Sequence, residues 1–193
     1  MPGINEKYKA VVIGTSAGGL YALSGILEQL PLGYQVPVMV VQHRSKDQRD
    51  LLEEVMQSKC KIKIKQADEK ESIQSGFVYI APPDYHLLIE NDKTFSLSSD
   101  EQVRFSRPSI DVLFETAAIV FKDTLIAIIL TGANNDGSAG IVAVKKYGGL
   151  TIAQDPAEAQ FPFMPKAAIE TKGVDYIWTL SEIQNFLLQT GSV

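Results

Sequence analysis

Ala10-Val11-Val12-Ile13-Gly14-Thr15-Ser16-Ala17-Gly18-Gly19 reads as a strand buried on both faces that turns abruptly into a helix. A near-continuous run of β-branched residues suits extended backbone with apolar cover on each side. Past the glycines, Leu20, Leu23, Ile26, Leu27 and Leu30 recur at helical spacing until Pro31 closes the segment. A second buried run, Val36 to Val41, follows. Strand, helix and strand in about thirty residues form a βαβ unit with parallel strands and a right-handed crossover.

The alternation continues outward. A helix is expected from Asp47 to Gln57, and Lys61 to Lys65 alternates Lys and Ile with a strand's period of two. Phe77 to Ala81 and Leu87 to Glu90 flank Pro82-Pro83, and Asn91-Asp92 leads to Thr94 to Leu97. The last two runs read as a hairpin, an antiparallel addition to the sheet. From Pro108 to Lys122, Ile110, Leu113, Phe114, Ala117, Ala118 and Phe121 make one continuous helical face. Leu125 to Leu130 is a buried strand, Gly140 to Lys146 a helix, and Leu150 to Ala153 and Val174 to Trp178 further strands. Ser181 with Gln184 suggests a capping box for a last helix. Pro162-Phe163-Met164-Pro165 reads as a rigid loop, with substrate contact as its second reading. One α/β domain over residues 1–193, with a core from about 8 to 187 and a mostly parallel sheet, is the expected architecture.

Composition narrows the chemistry. The 193 residues are 45 % hydrophobic and 21 % charged, values of a water-soluble globule. Eighteen Lys and Arg against 23 Asp and Glu leave a net charge of -5, against the basic patch of a nucleic-acid binder. The single cysteine, Cys60, permits no intramolecular disulfide and reads as inert. With two histidines, His43 and His86, no metal site is expected and no cofactor is indicated. The polar N-terminus is no signal peptide, and no apolar run approaches a membrane span, so a cytoplasmic protein is expected.

In open α/β sheets ligands bind beyond the carboxyl ends of the strands, and three of those ends are unusual here. The first carries Gly14-Thr15-Ser16-Ala17-Gly18, a match to G-x-S-x-G, in which a serine projects from a sharp strand-to-helix turn. The second carries Val41-Gln42-His43, and the strand at Leu125 to Leu130 leads into Thr131-Gly132-Ala133-Asn134-Asn135-Asp136-Gly137. A serine becomes nucleophilic when an imidazole takes its proton and a carboxylate orients that imidazole. Ser16, His43 and Asp136 supply those three groups from one sheet edge. Each alone has a blander reading: a phosphate-binding turn at Gly14 to Gly19, a hydrogen-bonded structural histidine at His43, a helix N-cap at Asp136. Their agreement favours the catalytic reading. His86 is the rival base, read as a structural or rim residue beside Asp84. Arg107, before the long helix, either reaches the cleft or lies on the surface. Backbone N–H groups at Ala17 and in the Gly132-Ala133 turn are the candidates to hold an oxyanion.

At these residues the chain resembles the catalytic domain of the CheB protein-glutamate methylesterases. The resemblance runs from about Tyr8 to Phe186 and also rests on Tyr79-Ile80-Ala81-Pro82 with His86, Arg107-Pro108-Ser109-Ile110-Asp111, and Met164-Pro165. It implies a doubly wound, three-layer α/β/α fold with about seven parallel strands and an antiparallel hairpin. It implies hydrolysis of γ-glutamyl methyl esters on methylated chemoreceptors and, in some members, deamidation of receptor glutamines. The family's serine, histidine and aspartate fall on Ser16, His43 and Asp136; Thr15, Arg107 and Met164 are candidate substrate contacts. Other readings are a non-catalytic docking module of the same fold and an esterase or amidase for small molecules. Ala17 stands where members often carry Thr, Ala133 where they often carry Met, and Arg44-Ser45 in place of Met-Pro, differences that bear on the substrate. With the first strand near residue 9, no cis phospho-receiver domain is expected, which leaves control to a separate regulatory protein.

Overall fold

The first strand, β1 (Ala10–Thr15), lies at the centre of a seven-stranded parallel sheet in this computed structural model, which describes residues 7–44 and 51–191. Its neighbours are β2 (Val38–Gln42) on one side and β7 (Leu125–Ile129) on the other. Beyond β2 come β4 (Phe77–Ile80) and β3 (Lys63–Gln66); beyond β7 come β8 (Leu150–Gln154) and β9 (Tyr176–Trp178). The apolar runs of β1, β2 and β7 form the three central strands, and they are buried almost throughout.

Alternate residues feed two cores. Val11, Ile13, Val38, Val40, Ile126 and Ile128 pack against α1 (Gly19–Leu27), α2 (Leu52–Lys59) and the last helix, α6 (Leu180–Gly191). Ala10, Val12, Met39, Val41, Ala127 and Ile129 pack against α3 (Ile110–Phe121), α4 (Ser138–Lys146) and α5 (Phe163–Glu170). A period of two in the strands thus becomes a helix layer on each face. None of the helices among the described residues is long and apolar enough to cross a membrane.

Three local expectations need correction. The hairpin β5 (His86–Ile89) and β6 (Phe95–Ser98) pairs with itself as a separate sheet rather than extending the main one. Both edges of β4 are taken by β2 and β3, so the hairpin instead buries Leu87, Ile89 and Phe95 in the core that α3 lines. The 162–165 stretch is not a loop: Phe163 opens α5 and Pro165 sits in its first turn. Proline costs little there because a first-turn N–H has no intrahelical acceptor. The capping box of α6 uses Thr179 and Glu182: Glu182 accepts from the Thr179 N–H at 2.8 Å, and the Glu182 N–H donates to Thr179 Oγ1 at 3.3 Å. Gln184 donates to the Gly25 carbonyl instead, at 2.6 Å. The helix expected from Asp47 is found from Leu52, and residues 47–50 lie outside the described residues.

Candidate active site

The strand order reverses around β1, with the chain running outward on one side through β2 and on the other through β7. Loops leaving such a switch point diverge and open a crevice at the strands' carboxyl ends. Ser16 follows β1, His43 follows β2 and Asp136 lies in the loop after β7.

The main chain sews these loops together. The Ser16 N–H donates to the Thr131 carbonyl at 3.0 Å, and His43 N–H donates to the Thr15 carbonyl at 3.1 Å. Thr131 Oγ1 donates back to the Ala17 carbonyl at 2.9 Å. Gly18, at φ 78°, makes the left-handed turn that a side chain would strain, and α1 starts at once. Ser16 is half-buried, and among the described residues its hydroxyl forms no hydrogen bond.

Asp136 is fully buried and pairs with His43, Oδ2 to Nε2 at 2.8 Å. Its other partners come from the start of α3: Ser109 Oγ and the Asp111 N–H donate to Oδ1 at 2.9 and 3.1 Å, and the Ile110 N–H to Oδ2 at 2.7 Å. The carboxylate thus does cap a helix, but α3 rather than the α4 that follows it in sequence. A helix N-terminus is where a buried negative charge is best tolerated. Burial alone would raise the Asp136 pKa; the bonds from His43, Ile110 and Asp111 together outweigh it and hold the carboxyl below its ordinary value. An ionised carboxylate requires His43 to carry its proton on Nε2, which leaves Nδ1 as the basic atom. On that side stands the Asn134 amide nitrogen, 3.4 Å from Nδ1, while Asn134 Oδ1 accepts from the Asp136 N–H at 3.1 Å.

The two expected oxyanion positions are open. Among the described residues the Ala17 and Ala133 N–H groups have no acceptor, whereas the Gly132 N–H is taken by the Phe161 carbonyl at 2.9 Å. Of the Gly132-Ala133 turn, Ala133 alone keeps a donor for a ligand.

The candidate substrate residues are occupied elsewhere. Thr15 is fully buried and its hydroxyl donates to the Thr131 carbonyl at 2.9 Å. Arg107 spends its guanidinium on Asp84 at 2.7 Å and on the Ser99 and Asp100 carbonyls. Met164 is buried, its side chain lying over the Cα of Gly132 and its N–H donating to the Gly132 carbonyl. The hydroxyl of Thr15 and the guanidinium of Arg107 thus have their donors taken within the chain. His86 is buried as well, with Nε2 facing the Glu101 carbonyl at 3.0 Å and Nδ1 accepting from the Ser109 N–H at 3.1 Å. It supports the helix start that holds Asp136, and its expected pairing with Asp84 is replaced by the Arg107–Asp84 ion pair. The sequence assigns no role to Ser109 or Asn134, although both stand in its motifs, Ser109 in Arg107-Pro108-Ser109-Ile110-Asp111 and Asn134 in the loop from Thr131 to Gly137.

The chain matches the family model described as CheB methylesterase over residues 11–187. A relative from Leptospira interrogans, provisionally named protein-glutamate methylesterase/protein-glutamine glutaminase, is 51 % identical over 182 residues, covering 94 % of each chain. The protein-glutamate methylesterase/protein-glutamine glutaminase of Thermotoga maritima is 37 % identical over 184 residues; the match covers 94 % of this chain and 54 % of that relative. The crystal structure of the Thermotoga maritima CheB methylesterase catalytic domain superposes with a TM-score of 0.90 at 37 % identity, over 94 % of this chain and 98 % of that one.

Proposed function

The chain belongs to the CheB methylesterase family, and from that premise we propose that it is a serine hydrolase demethylating γ-glutamyl methyl esters on chemoreceptor-type signalling proteins. In this reading Ser16 is the nucleophile, His43 the general base and Asp136 the residue that orients and charges the imidazole. The observation that carries it is the buried Asp136–His43 pair at 2.8 Å, anchored on the α3 N-terminus and leaving Nδ1 basic.

Ser16 Oγ attacks the ester carbonyl carbon while its proton passes to His43 Nδ1. Asp136 stabilises the imidazolium through Nε2 without taking the proton itself. The Ala17 and Ala133 N–H groups donate to the oxyanion, each worth roughly 3 kcal/mol of barrier by analogy with a characterised hydrolase. Collapse breaks the ester C–O bond, and His43 returns the proton to the departing methanol. Water then gives a proton to His43 and attacks the acyl-serine; the second collapse frees the glutamate carboxyl and restores Ser16. A glutamine substrate follows the same path with ammonia as the leaving group. A cytoplasmic site of action suits this substrate.

Ser16→Ala is the direct test. Methanol release from a methylated receptor should vanish while the circular dichroism spectrum stays native; undiminished release would overturn the assignment. Turnover of a small ester with inertness toward methylated receptor would assign a small-molecule esterase, and inertness toward both a docking module.

A further inference from the structure

Gln42 ends β2 and is the register partner of Thr15, so its side chain stands between the Ser16 turn and the His43 loop. It turns back toward its own strand end. Nε2 donates to the Ser16 carbonyl at 2.9 Å and to the His43 carbonyl at 2.9 Å. An amide nitrogen has two hydrogens, and here both are used on the two residues that must exchange a proton.

The orientation is decided by those acceptors, since a flipped amide would set Oε1 against two carbonyl oxygens. Oε1 instead points at Gly19, where it is buried and has no hydrogen-bond partner. A Cβ on Gly19 would lie 1.9 Å from it, so the second glycine of Gly18-Gly19 is what makes room for the amide. A buried carbonyl oxygen without a partner carries a desolvation cost that an apolar side chain of the same length would avoid. Packing therefore does not account for Gln42, whereas the two bonds from Nε2 do.

We infer that Gln42 is a positioning residue, which sets the spacing of Ser16 and His43 through one amide nitrogen. The inference rests on the reaction proposed above. Because the Ser16 hydroxyl makes no hydrogen bond among the described residues, its approach to Nδ1 is governed by how the two main chains are held. Small displacements of a reacting pair cost on the order of a hundredfold in rate.

Gln42→Met keeps the length and removes both the donor and the unpartnered oxygen. The variant should melt close to the parent's temperature, since the two lost bonds offset the relief at the unpartnered oxygen, yet its kcat should fall about a hundredfold with KM within about twofold. A role confined to stability would give the reverse, a lower melting temperature with kcat intact in the folded fraction. Labelling of Ser16 by a fluorophosphonate, which needs the activated nucleophile and no receptor, should slow in parallel. Gln42→Glu, which sets a carboxylate oxygen against the same two carbonyls, should also slow the labelling but melt below the parent. Parent and Gln42→Met that label equally fast overturn the positioning role alone. A parent that does not label at Ser16 overturns the catalytic reading and the positioning role with it.

Discussion

Asp136 gathers four donors on two oxygens, from His43, Ser109, Ile110 and Asp111, and its chemistry follows from that crowding. A carboxyl held below its ordinary pKa stabilises the fold above its unfolded value, roughly 3.9, and loses that contribution as pH falls through the native value. Asp136→Asn, which does not titrate, should therefore trail the parent in urea stability at pH 7, and the gap should begin to narrow only as pH falls below about 4. A gap independent of pH would contradict the assignment. The same substitution should lower kcat about 10⁴-fold, as expected when the imidazole loses its tautomer and its counter-charge. Ser109→Ala removes one charge-assisted hydrogen bond and should cost about 1.5–3 kcal/mol in chemical denaturation. Ser16, His43 and Asp136 were legible because each is a chemically distinctive residue just past a buried strand. Ser109 was not, because a serine before a helix is ordinary and its partner lies 27 positions away in the chain.

The helices show where local signals suffice and where they mislead. Both Ser181-x-x-Gln184 and Thr179-x-x-Glu182 satisfy a capping-box pattern, so sequence alone leaves the start of α6 two residues uncertain. The structure uses the second, which makes Thr179→Ala cost about 1 kcal/mol and Ser181→Ala close to nothing in urea titrations. Equal losses at both would put the start elsewhere. In α5, two prolines suggested a loop because the sequence does not say that Pro165 falls in a first turn, the one place where its missing N–H is harmless. The α3–α4 contact depends on a glycine: a Cβ on Gly140 would sit 2.5 Å from Phe114 Cβ, an atom fixed to its backbone. Gly140→Ala should therefore cost about 1–3 kcal/mol by overpacking, despite its better helix propensity. A stabilised variant would show that the two helices can separate.

Across the whole molecule, burial explains the chain's one thiol. Cys60 is buried beside the core below α1, α2 and α6, and burial, reinforced by Glu28 and opposed by Lys59, pushes its pKa up to about 11. Native protein at pH 8 should resist iodoacetamide and react once unfolded in urea; rapid native labelling would contradict this. At this scale the sequence determined the alternation of strand and helix, the parallel sheet and the three chemical groups past its strands, because those depend on apolar periodicity and residue type over short spans. It could not determine which of the strands are neighbours. Pairing β1 with both β2 and β7 is what brings Ser16, His43 and Asp136 to one crevice. It could not show that Asp136 caps α3, that the hairpin stands apart from the sheet, or which partners hold Thr15, Arg107 and Met164. Those outcomes depend on which donors and surfaces meet across long separations in the chain, and only the packed structure decides such meetings.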